Sequence, residues 1–257
     1  MEPWHYNPAT YLDPALIERL QRFRFEQGLL VHGVRALAAA LLRGWLRLYH
    51  RLTIVGQENL PVDRSFVLIA NHASHLDTLC LLSALPIHRL HRAFPAAAKD
   101  YFCVSTTRSL LAAFLNALPF ERHSVPWQSL SMCSHLLKTP GSVLIFFPEG
   151  TRGSGGEPGE FKLGVALLAA CDDIPVVPCH LAGTNAALPR GTFCPRPKAI
   201  RLTIGTPRVY AHLPPTRESA KQICHELREA VIRLGKQSPT QDTSCRLDKP
   251  FSPLENP

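Results

Sequence analysis

Residues 66–77 read Phe-Val-Leu-Ile-Ala-Asn-His-Ala-Ser-His-Leu-Asp. The first five residues of this stretch are apolar and too few for a helix, so they predict a short buried strand. A strand that is apolar along its whole length is covered on both faces, as in sheets with helices on either side. The polar residues that follow it occupy the place where open α/β sheets put their ligands. The stretch therefore predicts an α/β protein with a site just beyond residue 70.

His72 and Asp77 are the residues of this site with the most obvious chemistry. Ser74 is predicted to cap a new helix, with Asp77 in its first turn. One regular helix would hold His72 and Asp77 about 140° apart around its axis, but a turn between them can bring them together. Asp77 would then accept a hydrogen bond from one imidazole nitrogen and leave the other free to take a proton. His72 is thus a candidate general base; a capped helix beside an incidental surface histidine is the alternative that these residues leave open.

Composition sets the broad class of the protein. The 257 residues are 46% hydrophobic, enough for the core of one principal domain. Twenty-eight basic residues against 20 acidic ones favour an anionic partner: nucleic acid, phosphorylated substrate, acidic carrier protein or membrane surface. The eight cysteines include no C-x-x-C pair, which is typical of thiols in a reducing compartment. Neither a secretory signal nor an apolar stretch of about 18 residues is found, so no membrane-spanning helix is expected.

The first 50 residues are predicted to form two helices, 12–30 and 34–49, separated at Gly28 and Gly33. The second is basic and amphipathic, with arginines at 35, 43 and 47, followed by Arg51. Such a helix can lie in a membrane interface, where each basic residue contributes about 1 kcal/mol near anionic lipid. It can equally pack on the domain with its arginines in water, and the sequence leaves both readings open.

The rest of the chain alternates strands and helices. Strands are predicted at 51–56, 93–99, 119–122, 142–147, 174–181 and 199–204, and helices at 74–85, 109–118, 127–137, 164–170 and 214–234. The predicted fold is therefore α/β, a mostly parallel or mixed central sheet flanked by helices, with an N-terminal helical pair. Residues 1–50 are expected to contact a membrane surface, 51–235 to form the catalytic domain, and the proline-rich tail 236–257 to be disordered.

A second chemically capable stretch follows the apolar strand at 142–147. It begins Pro148-Glu149-Gly150-Thr151-Arg152 and continues with glycines. An arginine can make a bidentate contact with phosphate, and glycines let the backbone approach it. Taken alone, the stretch also fits an ordinary glycine-rich surface turn.

Asn71–Asp77 and Phe147–Arg152 together resemble the motifs of the 1-acylglycerol-3-phosphate acyltransferase family. Residues 55–61, 161–164 and 174–178 are also similar to that family, so the resemblance covers about residues 52–207. It implies transfer of a fatty acyl group from acyl-CoA or acyl carrier protein to the hydroxyl of a lysophospholipid such as 1-acylglycerol-3-phosphate. The resemblance further implies a peripheral protein on the cytoplasmic side of a membrane, in contact with anionic lipid. It implies no metal, no other cofactor and no nucleic-acid partner.

The resemblance also assigns roles to residues. His72 would be the general base and Asp77 its orienting partner. Four residues of the second motif would hold the acceptor, with Arg152 on its phosphate: Glu149, Gly150, Thr151 and Arg152. Val177 and Pro178 would shape the acyl pocket. Arg122, in the poorly matching segment 116–122, would be a second phosphate contact, and this departure leaves room for another hydroxyl- or amine-bearing lipid as acceptor.

Two further functions are compatible with the same residues. His72, His75 and Asp77 form H-x-x-H-x-D, which could belong to a metal-dependent hydrolase. The predicted helix start between the two histidines and the lack of a second ligand cluster disfavour it. A non-catalytic lipid- or carrier-binding protein of the same fold is the other alternative. An oriented base argues against that one, because a protein that only binds has no use for it.

Overall fold

The computed structural model describes residues 29–98, 115–120, 126–153, 157–171, 173–214 and 216–237. The first predicted helix up to residue 28, most of the helix predicted at 109–118, and nearly all of the predicted tail lie outside these residues.

Helices and strands alternate along the described chain. The helices are α1 (Leu29–Tyr49), α2 (Leu76–Ala84), α3 (Pro126–Leu137), α4 (Gly164–Cys171), α5 (Thr184–Ala187) and α6 (Arg217–Lys236). The strands are β1 (Thr53–Val55), β2 (Phe66–Ala70), β3 (Ala93–Ala98), β4 (Leu118–Phe120), β5 (Val143–Phe146), β6 (Val176–Ala182) and β7 (Arg201–Ile204). Short 3₁₀ helices at Gln57–Asn59 and Ile87–Arg92 complete the set.

The seven strands form one sheet in the order β1-β7-β6-β2-β5-β3-β4. Only β6 and β7 pair antiparallel, and the other neighbours are parallel. The predicted α/β fold with a mostly parallel or mixed sheet is confirmed. Because β2, β5 and β6 lie side by side and point the same way, the residues that follow them meet at one edge of the sheet.

Strand β2 is the centre of the core, and all five of its residues are buried. Successive side chains of a strand point to opposite faces. Val67 and Ile69 pack with α3, α4 and α6 on one face. Phe66, Leu68 and Ala70 pack with α2 and the end of α1 on the other. Helices therefore cover both faces, as the unbroken apolar run predicts.

Helix α1 differs from the sequence prediction in one respect. It continues through Gly33, where a break was expected. A glycine within a helix costs only about 1 kcal/mol relative to alanine. The apolar residues on either side of Gly33 also follow the same helical repeat. The predicted boundary at Gly33 is therefore wrong, while the helix over 34–49 is confirmed.

The second half of α1 is packed on the domain. Leu46 is completely buried in the core beside α2. Arg43 donates to the carbonyl of Leu85, and Tyr49 Oη donates to the carbonyl of Pro195 over 2.9 Å. Four apolar residues of the same helix remain at least half exposed: Val34, Leu37, Leu41 and Leu48. At 100° per residue they lie within an arc of about 60°, so they form one outward stripe. Among the described helices, none has the length and apolar character needed to cross a membrane.

Candidate active site

The sheet brings the two polar motifs together. Strands β2 and β5 are parallel neighbours, with Ile69 beside Phe146. Their following segments, which begin at Asn71 and Phe147, therefore leave the same edge of the sheet side by side. The expected site beyond residue 70 lies at this edge.

His72 and Asp77 form the predicted pair. His72 Nδ1 lies 2.9 Å from Asp77 Oδ2, so the carboxylate can accept a hydrogen bond from Nδ1–H. Nε2 is then the nitrogen that can take a proton from the substrate. The Asp77 side chain is fully buried, whereas that of His72 is 16% exposed. A partly exposed imidazole on a buried carboxylate has the arrangement that a general base requires.

The carboxylate of Asp77, which orients His72, is itself held by several hydrogen bonds. Its Oδ2 also accepts hydrogen bonds from the backbone N–H groups of Ala73, at 2.7 Å, and Ser74, at 2.8 Å. The positive end of α2 adds to this stabilisation of the carboxylate, because Asp77 lies in the first turn of that helix. Three donors on one oxygen hold the carboxylate in place when the imidazole changes its protonation state.

The start of α2 is displaced slightly from the predicted one. The helix begins at Leu76 and its N-cap is His75, which makes no side-chain capping bond. Ser74, expected as the cap, instead accepts from the Leu76 N–H over 3.3 Å and donates to the carbonyl of Leu188 over 2.9 Å. One half of the predicted capping box is therefore present, because Asp77 reaches back to the Ser74 N–H. The other half is absent, since the Ser74 hydroxyl bonds the Leu76 N–H and not that of Asp77, and the helix starts later.

Phe147 holds the imidazole from its flat side. The rings of His72 and Phe147 are stacked, with centroids 4.0 Å apart and planes 17° from parallel. The sequence pattern assigns no role to Phe147. The signal that could have found it is its position, because it is an aromatic residue directly after the apolar strand that neighbours β2.

The backbone of His72 is bonded to the second motif on both sides. Its N–H donates to Glu149 Oε1 over 2.9 Å, and its carbonyl accepts from the Gly153 N–H over 2.7 Å. Glu149 Oε2 accepts from the Gly159 N–H over 3.0 Å. Both oxygens of Glu149 thus brace the backbone, and its predicted contact with the acceptor stays a prediction. The bracing fixes the distance between the imidazole and the turn that carries Arg152.

The turn itself presents two cations. Arg152 is partly exposed, and Thr151 beside it is exposed. Gly150 has φ +73°, and a Cβ built on it would lie 2.8 Å from Lys162 Nζ. The positive φ favours glycine there, and the flexible end of the Lys162 side chain covers it. Lys162 belongs to a segment that the sequence analysis matched to the family without giving the lysine a role.

Asn71 closes the end of β2 with its side chain. Its Nδ2 donates to the Leu181 carbonyl over 2.9 Å, and its Oδ1 accepts from the Leu181 N–H over 2.8 Å. The side chain of Asn71 thereby continues the pairing between β2 and β6 and releases the main chain to turn toward His72. This contact was also missed from the sequence.

Two other predicted residues, Val177 and Pro178, lie in the body of the sheet. Val177 is fully buried in the core, and Val177 and Pro178 pair with Leu68 and Ile69 in the middle of the sheet. An acyl pocket shaped by them stays a prediction. Arg122 lies outside the described residues. Within the described parts of the chain, no three His, Cys, Asp or Glu side chains are grouped so that they could hold a metal ion, which disfavours the H-x-x-H-x-D reading.

Comparison with known proteins gives a consistent result. Residues 51–182, just over half of the chain, match the family model described as Acyltransferase. The chloroplastic 1-acyl-sn-glycerol-3-phosphate acyltransferase of Arabidopsis thaliana is 34% identical over 186 residues, which are 71% of this chain and 49% of that protein. The corresponding chloroplastic protein of Brassica napus is 33% identical over 71% of this chain and 50% of its own length. The chain thus spans about half the length of these curated relatives.

A solved structure shares the fold. The crystal structure of the 1-acyl-sn-glycerophosphate acyltransferase PlsC from Thermotoga maritima matches with a TM-score of 0.62 over 88% of this chain and 90% of that one, at 22% identity. At that identity the likeness concerns the fold alone. With the family match over residues 51–182 and both motifs at one edge of the sheet, the chain belongs to the acyltransferase family that includes the 1-acyl-sn-glycerol-3-phosphate acyltransferases.

Proposed function

We propose that this protein transfers a fatty acyl group from a thioester, acyl-CoA or acyl carrier protein, to the free hydroxyl of a lysophospholipid of the 1-acylglycerol-3-phosphate type. The observation that carries the proposal is the His72–Asp77 pair at 2.9 Å, bonded through the His72 backbone to the turn of Arg152. A base and a phosphate-binding cation held at a fixed separation fit an acceptor with a hydroxyl near a phosphate. The names of the relatives support the same substrate class.

The chemical step follows from the free nitrogen of His72. Nε2 takes the proton of the acceptor hydroxyl while the hydroxyl oxygen attacks the thioester carbonyl carbon. The tetrahedral intermediate collapses, the carbon–sulfur bond breaks, and the thiolate receives the proton from His72. The products are an ester and a free thiol. The Asp77 carboxylate stabilises the imidazolium between the two proton transfers.

Arg152 supplies the affinity for the acceptor. A guanidinium can bind phosphate through two parallel hydrogen bonds, which fixes orientation as well as position. Lys162, which covers Gly150, adds a second positive charge to the same turn.

The proposed place of action is the cytoplasmic surface of a membrane, because the acceptor class resides in bilayers. The exposed apolar stripe of α1 and the exposed Arg47 beside it support contact with anionic lipid. Four of the described cysteines are free and buried, at positions 80, 133, 179 and 224, and Cys194 is free and exposed. Free thiols in these positions support a reducing compartment.

A panel assay tests the proposal. The purified full chain is incubated with acyl-CoA donors of several chain lengths, or the corresponding acyl carrier protein thioesters, and with lyso-acceptors that carry or lack a phosphate. Lipid mass spectrometry is expected to detect a diacyl product with a phosphate-bearing acceptor, together with stoichiometric free thiol. Binding of the lipids without any product would favour the non-catalytic alternative. Release of free fatty acid without an acyl product would mean that water is the acceptor.

A further inference from the structure

The loop between α5 and β7, residues 188–198, displays an aromatic side chain to solvent. Phe193 in this loop is 88% exposed, and Leu48 at the end of α1 is 84% exposed. The loop is joined to that end of α1, because Tyr49 Oη donates to the Pro195 carbonyl over 2.9 Å. Two highly exposed apolar side chains therefore belong to neighbouring, connected segments.

The loop is held by contacts of the residues that follow Phe193. The Arg196 N–H donates to the Ala187 carbonyl over 2.7 Å, and His50 Nδ1 lies 3.3 Å from the Lys198 carbonyl. Pro195 and Pro197 restrict the backbone next to these contacts. Phe193 is thus presented outward by an anchored segment.

Charge on this surface has a single sign. Four exposed basic residues surround the two apolar side chains, namely Arg47, Arg190, Arg196 and Lys198. The segments 29–51 and 183–201 contain no Asp or Glu. A surface with cations around protruding apolar side chains is complementary to an anionic bilayer, where the cations meet headgroups and the apolar groups enter the acyl boundary.

The same loop adjoins the site. Its first residue, Leu188, accepts the hydrogen bond of Ser74 Oγ over 2.9 Å, and Ser74 lies between His72 and Asp77. The completely buried Ser74 makes this a fixed connection. A bilayer against the loop would therefore lie beside the motif that carries the base.

We infer that residues 188–198, together with Leu48 and Arg47, form a surface that docks on anionic membranes, with Phe193 as the inserted side chain. This inference rests on the proposed membrane-bound function and assigns part of the contact to a loop of the catalytic domain, in addition to the N-terminal helix. An acidic carrier protein would also be attracted by the charge. The protruding Phe193 and Leu48 favour the bilayer, because an exposed aromatic side chain gains from entering the interface.

Sedimentation with lipid vesicles tests the inference on the full chain. Vesicles of phosphatidylcholine with or without phosphatidylglycerol are mixed with wild type, with Phe193→Ser, and with the triple change Arg190→Gln, Arg196→Gln and Lys198→Gln. Partitioning onto anionic vesicles is expected to fall about 10-fold for Phe193→Ser and about 100-fold for the triple change. Val62→Ser is the apolar control, since Val62 is 76% exposed and precedes β2 at the opposite edge of the sheet. Arg217→Gln with Lys221→Gln and Arg233→Gln is the charge-matched control on α6.

The outcomes separate this inference from the proposed function. Vesicle binding needs no turnover, so a failure of acyl transfer leaves the measurement intact. Wild type that ignores anionic vesicles would overturn both the membrane localisation and the docking surface. Loop variants that partition within twofold of wild type, or controls that fall as far as the loop variants, would overturn the docking surface alone. Unchanged vesicle binding with a raised KM for acyl carrier protein thioesters would assign the surface to the carrier and overturn the inference.

Discussion

His72 is held by groups from two parts of the chain. Asp77 binds its Nδ1, Phe147 covers its ring, and Glu149 and Gly153 bind its backbone N–H and carbonyl. Fixing the ring direction matters because a base must meet the substrate proton within about 3 Å. The contacts that orient the His72 ring therefore determine whether this site can be catalytic.

Replacing Phe147 tests how much the ring stacking contributes. We expect Phe147→Leu to lower kcat about 3- to 10-fold, the value of one aromatic contact, with a smaller change in KM. Phe147→Tyr keeps the stacked ring and is the matched control, so it should retain most of kcat. Steady-state kinetics at saturating donor and acceptor measure both variants. Equal losses in the two would show that Phe147 matters through packing of the loop and not through the imidazole.

Arg152 makes a different prediction, because it concerns binding of the acceptor. We expect Arg152→Ala to raise KM for a phosphate-bearing acceptor about 30- to 150-fold, as for the loss of about 2 to 3 kcal/mol of a charge-assisted contact, and KM for the donor much less. Arg152→Lys keeps the charge but loses the bidentate geometry, so its KM for the acceptor should lie between those of the wild type and Arg152→Ala. A parallel rise in both constants would mean that the arginine only shapes the turn.

The roles of single residues were predictable where the chemistry of the side chain is visible in the sequence. His72 and Asp77 could be paired because a strand end and a helix start leave one compact geometry for the five-residue spacing. The backbone contacts of Glu149 were not predictable, because they reach His72 and Gly159 at distant positions in the chain. Phe147 and Asn71 were missed because their contacts join neighbouring strands, and strand order is not visible in a local pattern.

At the scale of elements, the ends of helices were less predictable than their presence. Helix α1 passes through Gly33 because helical backbone tolerates a glycine when the flanking pattern is continuous. Gly235 in α6 has a different reason to be glycine. A Cβ at Gly235 would lie 2.7 Å from His180 Nε2 on β6. This close contact sets how near α6 lies to the sheet.

Alanine substitutions at two glycines test that difference. Gly235→Ala should destabilise the protein by about 1 to 3 kcal/mol, because the half-buried ring of His180 or the helix must move. Gly44→Ala in α1 is the control, since nothing lies within 4 Å of the added Cβ. It should stabilise by about 0.5 to 1 kcal/mol through the better helix propensity of alanine. Free energies of unfolding from urea titrations measure both, and a shift of the two variants in the same direction would contradict the account.

At the scale of the whole molecule, the sheet is what turns two separate motifs into one site. The apolar runs at 66–70 and 143–146 predict two buried strands, but their adjacency is a property of the strand order. The α/β class followed from the alternation of strands and helices, and so did the edge where the site lies. The family resemblance relates the two motifs by function, and the strand order places them side by side. The acyl pocket was not predictable in the same way, because its walls depend on packing between elements.

The role of His72 as the general base is tested by the kcat of His72→Ala for acyl transfer, with His75→Ala as the matched control. Both variants should keep the wild-type circular dichroism spectrum, because His72 is partly exposed and His75 is exposed. With His72 as the general base, kcat of His72→Ala should fall about 10²- to 10⁴-fold. His75→Ala, which removes a histidine three positions away, should keep more than half of the activity. A His72→Ala protein that retains a tenth or more of the wild-type kcat would contradict the assignment of His72 as the base.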